Sequence, residues 1–328
     1  MPVFRSVGLL LLIALVWATL SNPANAETVL RLGVLKFGTV KWEIDVLKHH
    51  QLDKKHGITL DVREFSGKNA TSTALLANDV DAMVTDWLWV SRQRAAGRGL
   101  SFFPYSKATG AIMVAADSPI RSIEDLVGRK LGIAGGPLDK SWLLLRALAK
   151  NRKIGDLNNR VEKVFGAPPL LSAQLEKGRV DAVLTFWHYA ARLQAKGMRK
   201  VIGVDEIMND LGRQRVVPMI GYAVSDSWAA ANAKGLKAFS DALNEARSIL
   251  ATSDSEWLRL RPRMKADHGK TFAALKAGFR AGIPQSWGMV DHEAAEQIFD
   301  VLAAIGGEKL VGPSQRLAPG TFASAITY

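Results

Sequence analysis

The chain has 328 residues, 48% hydrophobic and 23% charged, with a formal net charge of +12; this is an ordinary globular composition of two-domain length without low-complexity runs. It contains no cysteine, which excludes disulfides, thiolate metal sites, cysteine nucleophiles and a lipid-bearing cysteine together. The 43 basic residues are mixed with 31 acidic ones, and the densest basic run, Arg259 to Lys265, carries no interleaved aromatics, so a solvated face that attracts anions fits better than a nucleic-acid surface.

The first 26 residues hold one arginine (Arg5), an apolar run from Val7 to Trp17 and a small-x-small ending at Ala24, Asn25 and Ala26. This is the layout of a cleavable secretory signal. The apolar run is too short to span a hydrocarbon core comfortably, and no later run reaches 18 unbroken apolar residues. The expectation is a soluble, unanchored protein retained in a periplasm, with residues 1–26 removed and Glu27 as the new N-terminus.

After this segment, strand-like and helix-like pieces alternate. Thr28–Lys36 reads as a strand, Trp42–Gly57 as a helix closed by glycine, and Ile58–Phe65 as a second strand. A short helix over 69–79, a strand Asp81–Asp86 and a helix Trp87–Gly97 follow. A second series holds a strand Lys130–Ala134, a helix Asp139–Asn151, a strand Val161–Gly166, a helix Pro168–Gly178, a strand Asp181–Phe186 and a helix Trp187–Gly197. Strands separated by helices predict parallel pairing and the α/β class. Two extended segments, Thr109–Ile120 and Val216–Ala229, each run from a glycine through apolar residues to Asp-Ser and predict a pair of strands crossing between two lobes. The expected division is 27–110 for the first part of lobe 1, 111–219 for lobe 2, and 220–328 for a return strand and helices that pack back on lobe 1.

One phrase occurs twice. "VDAMVTDWLWVSRQRAAG" (Val80 to Gly97) and "VDAVLTFWHYAARLQAKG" (Val180 to Gly197) share Val, Asp, Ala, Thr, Trp, Arg, Ala and Gly at the same offsets. In open parallel sheets, ligands sit beyond the carboxyl ends of strands. Trp87 and Trp187 each follow a strand, so they either line a cleft from opposite lobes or begin the core face of the next helix. Asp86 is a carboxylate for a ligand amine or N–H, or a helix N-cap; its counterpart is Phe186. The stretch Gly132 to Ser141, "GIAGGPLDKS", ends a strand in glycines before a helix start, where backbone N–H groups attract anions and Lys140 and Ser141 add donors. It matches no nucleotide-binding loop. Phe37, Gly38, Thr39 and Trp42 lie at the equivalent edge of the first lobe. His49, His50 and His56 do not share a helix face at metal-ligand spacing, the His292 region lacks a second zinc histidine, and no Gly-x-Ser-x-Gly occurs. No metal, cofactor or catalytic constellation is therefore expected.

"SIEDLVGRKLGIAGG" and the repeated Leu-x-x-Gly-x-Val-Asp-Ala resemble the SsuA/THI5-like (NMT1-like) substrate-binding proteins, the periplasmic receptors of nitrate, sulfonate, taurine and thiamine-pyrimidine ABC importers. The resemblance covers nearly all of the chain after the signal. It implies a type II periplasmic-binding-protein fold, two α/β lobes joined by a two-strand hinge and closing on one ligand. By position, the cleft would draw on Phe37, Gly38, Thr39 and Trp42, then on Asp86, Trp87 and Thr109. From the other lobe would come Gly136, Pro137, Lys140, Ser141, Phe186, Trp187 and His188. The implied partners are a small molecule and a membrane permease, with the receptor a monomer. Asp86 fits an aminated ring or amino-sulfonate better than nitrate. The competing expectations are a periplasmic sensory partner and an enzyme akin to the pyrimidine synthases of the superfamily, whose cysteine-rich iron-binding stretch has no counterpart here.

Overall fold

The computed structural model describes residues 28–212 and 215–327, so the expected signal segment lies outside the described residues. The first series folds as β1 (Thr28–Leu35), α1 (Val40–His49), α2 (Leu52–Lys55), β2 (Ile58–Phe65), α3 (Lys68–Leu76), β3 (Ala82–Asp86), α4 (Trp87–Ala95) and β4 (Leu100–Ser106). The expected single helix over 42–57 is broken. Gln51 takes a left-handed conformation (φ 53°), which turns Leu52 into the core and lets the Asp53 carboxylate accept from Lys48 Nζ and the Leu60 amide.

The second series is β5 (Ala111–Val114), β6 (Lys130–Ala134), α5 (Lys140–Asn151), β7 (Glu162–Gly166), α6 (Pro168–Glu176), β8 (Ala182–Thr185), α7 (Trp187–Ala195), β9 (Arg199–Gly203) and α8 (Val204–Asp210). The chain then returns through β10 (Ile220–Ser225) to α9 (Asp226–Ala231), α10 (Ala233–Thr252), α11 (Asp254–Met264), α12 (Gly269–Ala281), α13 (Met289–Gly306) and α14 (Glu308–Val311).

Two five-stranded sheets result, ordered β2-β1-β3-β10-β4 and β7-β6-β8-β5-β9. Strands β1, β2 and β3 pair in parallel in one sheet and β6, β7 and β8 in the other, as the alternating pattern predicts. The crossing strands β5 and β10 run antiparallel to both neighbours, so each sheet is mixed. The glycines that begin the two crossings have a steric reason. A Cβ on Gly110 would stand 2.0 Å from the Thr185 carbonyl oxygen, and one on Gly221 2.1 Å from that of Phe103.

The C-terminal helices do not pack on the first lobe alone. Helix α10 lies against α1, but α12 packs along α7 and α13 along α5, both of the second lobe. Accordingly one core cluster unites Trp87 and Phe102 of the first lobe, Trp142 and Leu143 of the second, and Ile298, Phe299 and Leu302 of α13. A lone helix cannot hide an apolar face, and α13 hides its own by bridging both lobes. A second cluster centres on Trp42, Phe239 and Trp257 of the first lobe and takes in Ala191 of α7, and a third lies under the second sheet around Met113, Leu171 and Val183.

Candidate functional site

Most expected site residues follow the carboxyl ends of parallel strands, and contacts between the lobes form there: Asp86, which ends β3, meets Lys140 beyond β6, and Trp42 beyond β1 meets Trp187 beyond β8. Phe37 is 74% exposed and Phe186 37%, the latter with its ring centroid 6.4 Å from that of His188. Gly38 adopts φ 132° with open space around it. Pro137 is exposed, and Gly136, Lys140 and Ser141 are half-buried. Thr39 and Thr109 are bound up locally: the Thr39 hydroxyl accepts from the Tyr105 hydroxyl at 3.2 Å, and that of Thr109 from the Asp205 amide at 3.2 Å.

The contact that spans the gap is ionic. Lys140 Nζ of the second lobe lies 2.8 Å from Asp86 Oδ2 of the first, with the carboxylate buried and the ammonium partly exposed. Asp86 is also the helix N-cap that the sequence allowed: its other oxygen accepts from the Trp89 amide at 2.9 Å and caps α4. Burial pushes the Asp86 carboxyl up; the charges of Lys140 and Lys68 and the bonds from Lys140 and Trp89 N–H outweigh it, so the group sits below the usual carboxylate range. Across the gap, Asp139 caps α5 through the Ser141 and Trp142 amides. There burial dominates the same two lysines and the two amides, and the carboxyl is raised. Four charged groups, Lys68 and Asp86 from one lobe and Asp139 and Lys140 from the other, therefore share one field.

Lys68 is absent from the sequence expectations. It stands at the first position of α3, just beyond β2, and the strand-end rule that selected the other loops points to it equally. Helices α3 and α6 begin after Gly67 and Ala167, neither of which supplies a side-chain cap. The first N–H groups of α3 are not taken up by a side-chain cap and favour an anion, whereas α6 opens on Pro168 and Pro169, which have no N–H to offer.

The two tryptophans of the repeated phrase part ways. Trp87 does not line the gap. It is fully buried, donates its indole N–H to the Pro218 carbonyl at 3.1 Å and lies edge-on to Phe322 at 6.1 Å. Trp42 is also buried, in the first-lobe core. Trp187 crosses between lobes: its ring meets Trp42 at 6.2 Å and 89°, and Phe279 at 6.5 Å. Gly278, mid-helix in α12, makes room for it, since a Cβ there would stand 2.9 Å from the indole. Next to it, His188 is half-buried with Nδ1 lacking a partner. Burial, aided by the Arg192 charge, lowers its pKa to about 4, so the ring is neutral near pH 7. Arg192 ties the same helix to the first lobe by donating to the Met264 and Lys265 carbonyls at 2.6 and 3.0 Å. A groove of about 360 Å³ opens beside this contact, lined by Tyr189, Arg192, Lys196, Lys265 and His268 among others, and none of the expected site residues borders it.

Two mixed sheets of matching order, linked by two crossing segments and facing each other across their strand ends, define the type II periplasmic-binding-protein fold. The family described as NMT1/THI5 like matches residues 53–254, more than half of the chain, and the protein belongs to it. No curated protein sequence matches the chain closely enough to count as a relative. Among solved structures, the chain is similar to the alkanesulfonate-binding protein SsuA from Xanthomonas axonopodis pv. citri bound to MOPS (TM-score 0.69, 18% identity, 90% of this chain and 98% of that one). It is similar to the periplasmic aliphatic sulphonate binding protein SsuA from Escherichia coli (TM-score 0.70, 19% identity, 90% and 94%). It also resembles an ABC transporter protein from Parabacteroides distasonis (TM-score 0.68, 12% identity, 90% and 99%). Among the described residues, no helix is long and apolar enough to cross a membrane.

Proposed function

We propose that the protein is the periplasmic solute-binding receptor of an ABC importer, capturing a small organic anion between its lobes and presenting it, as a monomer, to a membrane permease. The observation that carries this reading is the Asp86–Lys140 pair at 2.8 Å, which puts an ammonium and a carboxylate of opposite lobes on one site. Lys68, Lys140 and the start of α3 favour a negative group, and the exposed rings of Phe37 and Phe186 favour an apolar or flat one. That combination suits a sulfonate-like or pyrimidine-like molecule. The SsuA structures bind ligands of the first kind, and MOPS itself carries a sulfonate. In this reading, the anion displaces Asp86 from Lys140 and contacts both lobes only when they are closed, so binding shifts the population toward the closed form. Membership of a family whose fold neighbours include sulfonate receptors supports a binding role over catalysis.

Native mass spectrometry of freshly purified protein, followed by tryptophan-fluorescence titration with alkanesulfonates of graded length, taurine and an aminopyrimidine, tests this. We expect one bound molecule per chain, released unchanged, and at least tenfold weaker binding in Lys140→Ala. Chemical conversion of the ligand, or equal binding by Lys140→Ala, contradicts the reading.

A further inference from the structure

His49 closes α1, His50 follows it, and Glu256 lies in the first turn of α11, about 200 residues further along the chain. The fold brings them together. One donor atom from each lies within 4.8 Å of the others. His50 Nε2 is 3.2 Å from Glu256 Oε2, and the two imidazoles stand edge to face with centroids 4.9 Å apart.

The carboxylate is the fixed member. Its side chain is 7% exposed, Arg259 Nε donates to Oε1 at 2.8 Å, and the Ser253 hydroxyl holds the Glu256 amide at 3.1 Å. Arg259 spends its charge on Oε1 and on Asp45, which it meets at 2.6 Å, so Oε2 is left toward the histidines. Asp45 also pairs with Arg263, so the surrounding charges nearly cancel. Both imidazoles are exposed and can turn. Two nitrogens and one carboxylate oxygen form a donor set suited to a borderline divalent ion such as zinc. Tetrahedral zinc with bonds of about 2.0–2.1 Å needs donors roughly 3.3 Å apart. Rotation of the two exposed rings about a fixed carboxylate can close the remaining distance, and water would complete the coordination.

We propose that His49, His50 and Glu256 form a binding site for a divalent zinc-type ion on the first lobe, separate from the gap between the lobes. The site lies at the far end of α1 from Thr39, and an ion there would pin α1 to α11. The next residue of α11, Trp257, packs on Trp42 at 6.1 Å, and Trp42 is the ring that Trp187 docks against. The ion would therefore stiffen the first-lobe wall that receives the second lobe.

The test is calorimetric titration of tag-free, chelator-treated protein with zinc chloride, alongside the absorption spectrum with cobalt(II). One ion per chain is expected, with a cobalt band typical of low coordination number. His49→Ala and His50→Ala should each weaken zinc binding at least tenfold. His56→Ala, which removes the histidine paired with Glu245, should leave it unchanged. Because His49 and His50 are exposed, both variants should keep the wild-type circular dichroism spectrum, which guards against reading misfolding as lost binding. Absence of saturable zinc binding, or equal affinity in the His49→Ala/His50→Ala double variant, overturns the proposal.

Discussion

The segments Val80–Gly97 and Val180–Gly197 use the same residues for the same structural tasks and differ in what surrounds them. Asp81 accepts the Arg31 amide at 2.9 Å while its own amide donates to the Arg31 carbonyl; Asp181 does the same with Lys130, accepting at 2.7 Å. Each aspartate thus pins the start of its strand to the neighbouring parallel strand. Gly97 and Gly197 both take positive φ, 80° and 88°, and end their helices alike. Trp87 and Trp187 share a helix position but not an environment. Over Trp87, the C-terminal tail runs beside β4, bonded to Phe102 through Thr321 and Ala323, and lays Phe322 on the indole. Among the described residues no equivalent tail covers Trp187, which packs on Trp42 and Phe279 instead. The repetition builds framework; the difference between the copies, together with Asp86 against Phe186, makes the junction.

The largest effect that would separate the copies is the loss of each tryptophan. Trp87→Ala should cost about 3–5 kcal/mol, because it empties a sealed site and leaves the Pro218 carbonyl without its donor. Trp187→Ala should cost less than about 2 kcal/mol, the worth of its edge contacts, while loosening the two lobes. Urea denaturation measures both costs, and small-angle scattering measures the loosening. Equal costs would show that the two positions are structurally equivalent after all.

A sharper version uses the glycine opposite Trp187. A mid-helix alanine normally gains about 1 kcal/mol over glycine. At Gly278 the added methyl would press on the indole at 2.9 Å, so Gly278→Ala should be neutral or destabilising by up to about 2 kcal/mol. In a Trp187→Ala background the same change should become stabilising. A double-mutant cycle reads this coupling, and additive effects would mean that Gly278 has no role in seating Trp187.

Much of this arrangement was legible from local patterns. The alternation of strand and helix, the terminal glycines and the two glycine-led crossings follow from periodicity and backbone geometry, which neighbouring residues express. Two strands were not anticipated. Leu100–Ser106 carries Pro104 in its middle, which argues against a strand except at a sheet edge, where β4 does lie; Arg199–Gly203 is short, and three of its five residues are charged or glycine. Burial of Trp87 depends on Phe322, and the meeting of His50 with Glu256 depends on α11 folding back to α1. Neither contact leaves a trace in the spacing of nearby residues. For the same reason the Lys140–Asp86 partnership, 54 residues apart across two lobes, could be expected only as two separate strand-end residues.

The smallest predicted effect concerns that pair. The Asp86 carboxyl titrates lower in the folded protein than in the unfolded chain. Its stabilising contribution is therefore complete above about pH 4, where an unperturbed aspartate is ionised, and declines as pH falls through the lowered value. Lys140 is partly exposed, so solvent screening limits the contribution to about 1 kcal/mol. Asp86→Asn keeps an oxygen for the Trp89 amide but removes the charge that holds Lys140. The variant should lose about that much stability at pH 7, and the gap from wild type should narrow toward pH 3. Since Asp86 and an anionic ligand would compete for Lys140, the same variant should bind the anion several-fold more tightly, an effect that no counterpart change at Phe186 can reproduce. Denaturation curves at the two pH values and an anion titration at pH 7 check both halves; weaker anion binding by Asp86→Asn would mean that the carboxylate holds the ligand rather than competing with it.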